Sequence, residues 1–524
     1  MSIQDTSNFK IYFPFCFRYD TPSLLVYNVS VKGVLMSKFN AKKETNKAVS
    51  YEGGSVYNKN LVEDYLNSLF SSFIEDGFYE SRQKKMERFL DLTTEVRNQL
   101  GNEFLAKTSV FARNELGMRS ASQLIASYLN DDKFDNKRAY YRNFCHRPDD
   151  VAEIFGAIDM MGQKRSHATV RGCGDYIAKL NEYQLGKYKM LGKEYNMYDI
   201  INITHTKSAS VNSFMKGEIE SPDTWEVKIS TAKTDVERAE EWIRLVQEDK
   251  LGYLAMLRNL NNIMNALSTI GNDGLLLIED KIISKLTDEA SIKKSLVYPY
   301  QIYCAYKNMK AHPFMIDNAL DQAFRIACGN MERFEGKSVI MLDISGSMEN
   351  RISFRSNITI KEVGACYAAA LYISQDCDFV KFGTNAKLCS YNKIDNIFNI
   401  ISNMCEEDKC GYGTYIGAAF AELDKKYDRI FIVSDMQIMK EDRNQWWYTK
   451  MADGPANYND YCKEYGDTKC YSFDLGNYKT QCANPNNRNV HLVTALNDDV
   501  FKFLHLLEND QSIIDYIQKN FSYC

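Results

Sequence analysis

The sequence contains no run of 18 consecutive apolar residues, which is about the length that an α-helix needs to cross a lipid bilayer. Its opening residues, 1–6, carry no basic stretch followed by an apolar one, so no secretory signal is predicted. Proline is scarce: of the 8 prolines, only Pro148 and Pro222 lie between positions 23 and 298. Because proline interrupts helices, this long segment is free to form them. We therefore expect a cytoplasmic protein with no membrane association and a large helical part.

Cysteine motifs are also missing, although the chain has 14 cysteines. No Cys-x-x-Cys pair occurs, and the two closest cysteines are Cys405 and Cys410. Without a secretory signal, cysteines scattered through a large chain favour reduced thiols over disulfides. A zinc or redox role for the Cys405–Cys410 pair is the minor alternative.

The motifs of several enzyme classes are absent. There is no P-loop and no His-Glu-x-x-His zinc motif, and Asp343 stands where the Gly-x-Ser-x-Gly elbow needs its first glycine. Ser345 occupies the position of the second carboxylate that aspartyl phosphatases need. We therefore predict a protein that is not an enzyme. A metal-dependent hydrolase is a third and weaker interpretation, because no general base accompanies Asp343.

Charge is nearly balanced along the chain. The net charge is −5, with 29 Lys+Arg against 25 Asp+Glu in residues 1–210 and 35 against 44 in the rest. Residues 137–207 hold 12 basic and 8 acidic residues, together with three of the six histidines. A nucleic-acid-binding surface and an ordinary solvated helical surface are both compatible with this pattern. Charge alone does not decide between them.

The chain does contain long stretches of regular hydrophobic periodicity. From about position 58 to 298, apolar residues recur at helical spacing, as at Leu61, Tyr65 and Leu69. Many successive helices without strands indicate a helical bundle or a solenoid of helix pairs. The first 50 residues carry only short aromatic and β-branched runs, which favour irregular or strand-like structure. A chain of 524 residues is long enough for two or three domains.

After Gly336 the pattern changes to alternating strands and helices. Such alternation predicts a largely parallel sheet with helices on both faces. Ligands of these sheets bind at the carboxyl ends of the strands, where Asp343 and Asp435 fall. The predicted strands are the one ending at Asp343 and those at 379–382, 430–433 and 491–493, and the predicted helices cover 359–375, 397–404, 416–423 and 500–507.

Five oxygen-bearing side chains at these strand ends suit a metal ion. Asp343, Ser345 and Ser347 alternate directly after a buried apolar strand, so their side chains project the same way. Thr414 precedes a predicted helix, and Asp435 ends a second buried strand. Carboxylates and hydroxyls are hard ligands that suit Mg²⁺ or Mn²⁺. The arrangement resembles the metal-ion-dependent adhesion site of von Willebrand A domains.

Six short segments carry a further resemblance: Tyr51–Gly54, Lys187–Lys189, Tyr198–Lys207, Leu257–Leu260, Val297–Ile302 and Ala319–Phe324. In sequence and in their order along the chain, these segments resemble the Ro autoantigen family. Members of that family join a TROVE module to a von Willebrand A domain.

The resemblance implies a multidomain α + α/β fold. In this fold a HEAT-like ring of helical repeats is closed by a C-terminal, doubly wound (Rossmann-like) von Willebrand A domain. Residues 1–50 would form an N-terminal segment of uncertain structure, 51–335 the TROVE-like RNA-binding module, and 336–524 the A-like domain with the metal site.

The resemblance also implies partners. Family members hold small structured non-coding RNAs (Y RNAs) and single-stranded 3′ ends of misfolded RNA, and act in RNA quality control with exoribonucleases. We expect the same of this chain, as a monomer that binds no DNA, with a partner protein at the metal site. The alternative is a protein-interaction scaffold that uses the metal site and binds no RNA. The candidate RNA-binding residues are Lys187, Lys189, Lys193, His205 and Lys207, in or beside the resembling segments, and Arg142, Lys164, Arg165 and Arg171, chosen for local charge.

Overall fold

Helices dominate the structure, and a mixed sheet accompanies them, so the chain is an α + α/β protein. Two compact units can be separated: a helical unit, Gln99–Pro222 with Asn520–Cys524, and a sheet unit, Ser23–Asn98 with Asp223–Lys519. The division into domains at residues 50 and 335 stays a prediction. No helix in the described part of the chain is long and apolar enough to span a membrane. The computed structural model describes residues 25–27, 47–70, 79–188, 194–219, 224–270, 278–331, 333–353, 356–440, 455–494, 504 and 513–523.

The predicted succession of helices is confirmed from Leu61 onwards. The run Arg82–Asn114 is broken at Gly101, whose φ of 82° is a conformation that glycine adopts without strain. The described helices are α1 (Leu61–Phe70), α2 (Arg82–Asn114), α3 (Ser120–Tyr128), α4 (Lys137–Phe144), α5 (Pro148–Met160), α6 (His167–Ala178), α7 (Glu182–Lys187), α8 (Met197–Thr204), α9 (Ala209–Met215), α10 (Trp225–Thr231), α11 (Asp235–Gln247), α12 (Tyr253–Ile270), α13 (Glu279–Leu286), α14 (Glu289–Ser295), α15 (Pro299–Asn308), α16 (Phe314–Cys328), α17 (Ile360–Ser374), α18 (Ile397–Cys405), α19 (Ile416–Ala421), α20 (Tyr458–Tyr465) and α21 (Ile513–Asn520).

In the helical unit, α6 packs between α4 and α8. Two glycines of α6 lie at these crossings. A Cβ added at Gly172 would stand 2.5 Å from the carbonyl oxygen of Arg138, and one at Gly174 would stand 3.0 Å from the Thr206 hydroxyl. Because glycine has no side chain, the helices approach closely at these two positions.

A buried ion pair fixes the start of α5. Arg113 donates to both carboxylate oxygens of Asp150, at 3.2 and 2.9 Å, and Gln123 adds a third hydrogen bond at 2.7 Å. The same carboxylate accepts the backbone N–H groups of His146 and Arg147. Burial raises the pKa of Asp150, but the charge and hydrogen bonds of Arg113 outweigh it and bring the pKa below the usual range.

The main sheet has the order β1-β10-β8-β7-β4-β5-β6. Neighbouring strands from β10 to β5 are parallel, whereas the edge strands β1 and β6 pair antiparallel. The small sheet has the order β2-β3-β9. The strands are β1 (Leu25–Tyr27), β2 (Lys47–Val49), β3 (Ser55–Asn58), β4 (Ser338–Asp343), β5 (Cys377–Phe382), β6 (Ala386–Cys389), β7 (Arg429–Ser434), β8 (Lys469–Asp474), β9 (Thr480–Gln481) and β10 (Val490–Thr494).

The central strands β4 and β7 are buried along their whole length, as expected for parallel strands covered on both faces. Helix α17 lies against one face at Gly364, where a Cβ would stand 2.9 Å from Leu342 and Val433 side-chain atoms. The predicted strands at 338–343, 379–382, 430–433 and 491–493 are confirmed, as are the helices near 359–375, 397–404 and 416–423. The predicted helix 500–507 lies almost wholly outside the described residues. Strands β6 and β8 were not predicted.

Candidate functional site

Two of the predicted metal ligands, Asp343 and Asp435, lie together at the carboxyl edge of the main sheet. Both are buried, with exposed fractions of 0% and 1%. Asp343 ends β4 and accepts the Ser345 backbone N–H at 2.8 Å and the Ser434 hydroxyl at 2.5 Å. Asp435 follows β7 and accepts the Gln437 backbone N–H at 3.1 Å. Parallel pairing of β4 with β7 brings these two strand ends side by side.

The three predicted hydroxyl ligands are also at this edge and buried. The hydroxyl oxygens of Ser345 and Ser347 are 3.3 Å apart, and the Ser347 hydroxyl bonds to the Asp435 carboxylate. Thr414 lies in the loop before α19. Its carbonyl accepts the Met439 backbone N–H at 2.9 Å, which joins this loop to the segment that follows Asp435. The five side chains therefore come from three loops at one end of the sheet.

Both site aspartates have a raised pKa, although the Lys361 charge lowers that of Asp343. Burial raises the pKa of Asp343 to about 6, and burial together with the Asp343 charge raises the pKa of Asp435 to about 8. Within the described residues, neither carboxylate forms an ion pair with Lys, Arg or His. A divalent cation would supply positive charge here, and two carboxylates with hydroxyls form the hard oxygen set that Mg²⁺ or Mn²⁺ prefers. The residues present therefore fit such an ion.

The hydroxyls are needed to complete this ligand set. Among the described residues, no group of three or more His, Cys, Asp or Glu side chains is arranged to hold a metal. A third carboxylate at the same sheet edge, Asp474 of β8, is neutralised by the buried Lys59 ammonium at 2.6 Å. Asn67 donates to the same carboxylate at 3.0 Å. Among the described residues, a lysine thus pairs with Asp474, whereas no lysine, arginine or histidine forms an ion pair with Asp343 or Asp435.

The predicted RNA-binding residues fall into three groups. Lys164, Arg171, His205 and Lys207 are exposed in the helical unit. Arg171 lies on α6, and His205 caps the end of α8 with φ of 52°. Because α6 and α8 pack together, Arg171 on α6 and the residues His205 and Lys207 at the end of α8 lie on neighbouring elements. No described residue forms an ion pair with Lys164, Arg171 or Lys207, so their charges are available to a ligand.

A second group is already engaged by protein groups. Arg165 pairs with Asp159 and stacks over the Tyr195 ring at 5.0 Å. Arg142 is half-buried, and its Nε donates to the Asn143 side chain at 3.1 Å. Lys187 is half-buried as well, and its ammonium lies 5.8 Å from the centre of the Tyr188 ring. These cations are less available to RNA than the exposed group.

Lys189 and Lys193 form the third group and lie outside the described residues. The structure also identifies two arginines that were not predicted. Arg138 of α4 is 53% exposed and pairs bidentately with Asp175 of α6. Arg147 lies over the Tyr188 ring at 5.3 Å. Their charge was visible in the sequence, but their contacts with Asp175 and Tyr188 follow only from the fold.

Comparisons with known proteins agree with this architecture. The TROVE domain model matches residues 187–325. A Deinococcus radiodurans relative named RNA-binding protein RO60 is 28% identical over 141 residues, or 24% of this chain and 25% of the relative. The match thus spans about a quarter of that relative's length. The crystal structure of the Deinococcus radiodurans RO (RSR) protein has the same fold, with a TM-score of 0.59 over 85% of this chain and 99% of that chain at 15% identity.

The region that matches the TROVE domain model begins at Lys187 and includes His205 and Lys207. The chain is thus similar to the Deinococcus radiodurans relative in part of its sequence and to the Deinococcus radiodurans RO (RSR) protein in its fold.

Proposed function

We propose that this protein binds RNA through the outer face formed by α4, α6 and α8. The observation that carries the proposal is that Arg171 on α6 and Lys207 after α8 are exposed on neighbouring elements and form no ion pair with any described residue, and that His205 beside Lys207 is exposed as well. The relative named as an RNA-binding protein supports it. Lysine and arginine neutralise phosphates and release counterions, and an exposed histidine stacks on or bonds to a base.

The finer proposal follows the family resemblance. The ligands are small structured, Y-like non-coding RNAs and the single-stranded 3′ ends of misfolded RNAs. The helical repeats form a HEAT-like ring, closed by a von Willebrand A-like domain. The protein is a cytoplasmic monomer without catalytic activity of its own, and it acts in RNA quality control or degradation with an exoribonuclease. Phosphate contacts position such an RNA without selecting its sequence.

The sheet edge has a separate role in this proposal. Asp343, Ser345, Ser347, Thr414 and Asp435 hold Mg²⁺ or Mn²⁺ as an adhesion site. The ion would supply a coordination position for an acidic side chain of a partner protein. The two unpaired carboxylates support this role. Hydrolysis is not part of it, since the five side chains are proposed as ligands and leave no free general base.

A protein-interaction scaffold that binds no RNA is the second candidate function. The Asp343–Asp435 pair favours it, because that site needs a cation and a partner but no nucleic acid. The two functions differ in one simple measurement, the 260/280 nm absorbance ratio of protein purified without nuclease. An RNA-binding protein is expected to carry RNA and to show a ratio that falls after ribonuclease treatment. A protein-like ratio before treatment would favour the scaffold.

A further inference from the structure

A segment remote in sequence lies beside the candidate metal site. Residues 50–54 run antiparallel to the chain that follows Asp435. The Gly54 backbone N–H donates to the Ile438 carbonyl at 3.1 Å, and the Lys440 backbone N–H donates to the Glu52 carbonyl at 3.1 Å. A Cβ at Gly54 would stand 2.2 Å from the Ile438 oxygen, so only glycine permits this approach. The segment is thereby held beside the site.

The Glu52 side chain reaches towards the site through Tyr79. The Tyr79 hydroxyl donates to Glu52 Oε1 at 2.6 Å, and its oxygen is within hydrogen-bonding reach of the hydroxyl of Ser347, one of the candidate ligands. The Tyr79 ring is fixed by parallel stacking on Tyr51, with centroids 5.2 Å apart, and by the edge of Tyr478 at 5.4 Å. A single phenol therefore separates the Glu52 carboxylate from the ligand set.

We propose that Glu52 is the chain's own ligand for a divalent cation held by Asp343 and Asp435. This inference rests on the metal site of the proposed function. Because the Tyr79 oxygen is within hydrogen-bonding reach of both groups, the Glu52 carboxylate lies within about 5–6 Å of the Ser347 hydroxyl. A glutamate side chain covers that distance by rotation about its own bonds, exchanging the Tyr79 hydrogen bond for the cation. The backbone bonds of residues 50–54 remain in place during this rotation.

The coordination requirement of the ion supports the proposal. Mg²⁺ takes about six oxygen ligands in an octahedral arrangement, and the candidate set contributes five side chains. An internal carboxylate at the open position closes the site in the absence of a partner. An acidic side chain of a partner protein then competes with Glu52, so the site adheres only to partners that displace it.

The test is the Mn²⁺ affinity of the full chain, measured from the electron paramagnetic resonance signal of free Mn²⁺. Four variants are compared with the unaltered protein: Glu52→Gln, Tyr79→Phe, Asp343→Asn and Glu87→Gln. Glu87 is exposed in the same unit, and its substitution controls for the loss of one negative charge. Thermal melts confirm that each variant is folded.

We expect Glu52→Gln to weaken Mn²⁺ binding at least tenfold and Glu87→Gln to leave it within twofold. Tyr79→Phe is expected to strengthen binding, because it removes the hydrogen bond that competes for Glu52, and a misfolded variant would not show an increase. Unchanged affinity in Glu52→Gln, with binding abolished by Asp343→Asn, overturns the role of Glu52 and leaves the metal site intact. Absence of Mn²⁺ binding, or binding insensitive to Asp343→Asn, overturns the metal site itself.

Discussion

Removing the two exposed cations of the outer face should weaken RNA binding in a predictable way. Arg171 lies on α6 and Lys207 follows α8, and both side chains are exposed. The Arg171→Ala, Lys207→Ala double variant removes two positive charges without cutting an ion pair to any described residue. Its effect on RNA affinity is therefore expected to come from lost phosphate contacts and not from a damaged fold.

The magnitude follows from counterion release. Each phosphate contact contributes about 0.7 to 0.9 to the slope of log affinity against log salt concentration. Loss of two contacts is expected to reduce the slope by about 1.4 to 1.8. The counterion contribution vanishes at ~1 M salt. Relative to that reference, the loss of two contacts lowers the affinity roughly 14- to 30-fold at ~0.15 M salt.

The assay is fluorescence anisotropy with a labelled hairpin RNA that carries a single-stranded 3′ tail, titrated at several salt concentrations. The matched control is Lys463→Ala with Arg488→Ala, which removes one lysine and one arginine that are 77% and 81% exposed in the sheet unit. The control is expected to keep the salt slope of the unaltered protein. An unchanged slope in the Arg171, Lys207 variant, or an equal decrease in the control, would refute the assignment of this face.

The remaining predictions concern stability. Asp150→Ala is expected to cost about 3–5 kcal/mol of unfolding free energy, measured by urea denaturation, because its buried arginine partner loses its counter-charge. Gly172→Ala is expected to cost about 1–3 kcal/mol, because a Cβ there meets the α4 backbone, whereas Gly252→Ala, which has open space, should cost much less. Mg²⁺ is expected to raise the melting temperature more at about pH 8.5 than at about pH 5.5, and to have no effect on Asp343→Asn.

The sign of the pH dependence follows from the raised pKa values of the two site aspartates. Without metal, the folded chain holds protons on Asp343 and Asp435 up to about pH 6 and about pH 8, whereas an unfolded aspartate loses its proton near 3.8. Stability from this pair is therefore complete at low pH and is lost as pH rises through these values. A cation binds the deprotonated pair and thereby raises the free energy of unfolding, by about 2.7 kcal/mol at a metal concentration of 100 Kd. A Mg²⁺ effect that is equal at both pH values would contradict this account.

The sequence predicts some parts of the fold better than others, for physical reasons. Strands β4 and β7 were predictable because both are buried on two faces and are mostly apolar. Strand β8 was not predicted because Lys469–Asp474 mixes apolar residues with Lys469, Ser472 and Asp474. The segment is recognisable as a strand only once it pairs with β7 and β10 in the fold. Strand β6 is a short, partly exposed edge strand, and its composition differs little from that of a loop.

The residues of the candidate sites also differ in how well the sequence predicts them. Asp343, Ser345 and Ser347 were recognisable because their spacing is local, and the structure brings Asp435 and the Thr414 loop to the same edge. The position of Glu52 and Tyr79 beside the metal site depends on contacts between residues hundreds of positions apart, such as Glu52 with Lys440. No local sequence pattern encodes such contacts. On the proposed RNA-binding face, counting basic residues did not separate available cations from those already engaged by protein groups, such as Arg165. Whether an arginine is available depends on its folded neighbours.

The central claim is that this chain holds RNA and recognises a single-stranded 3′ end. The most direct test compares the affinity of nuclease-treated protein for two hairpin RNAs that are identical except for a 3′ tail, at several salt concentrations. The account predicts tight binding that depends on the tail and falls steeply with salt. Weak binding that is equal with and without the tail would contradict it and would favour the protein-interaction scaffold.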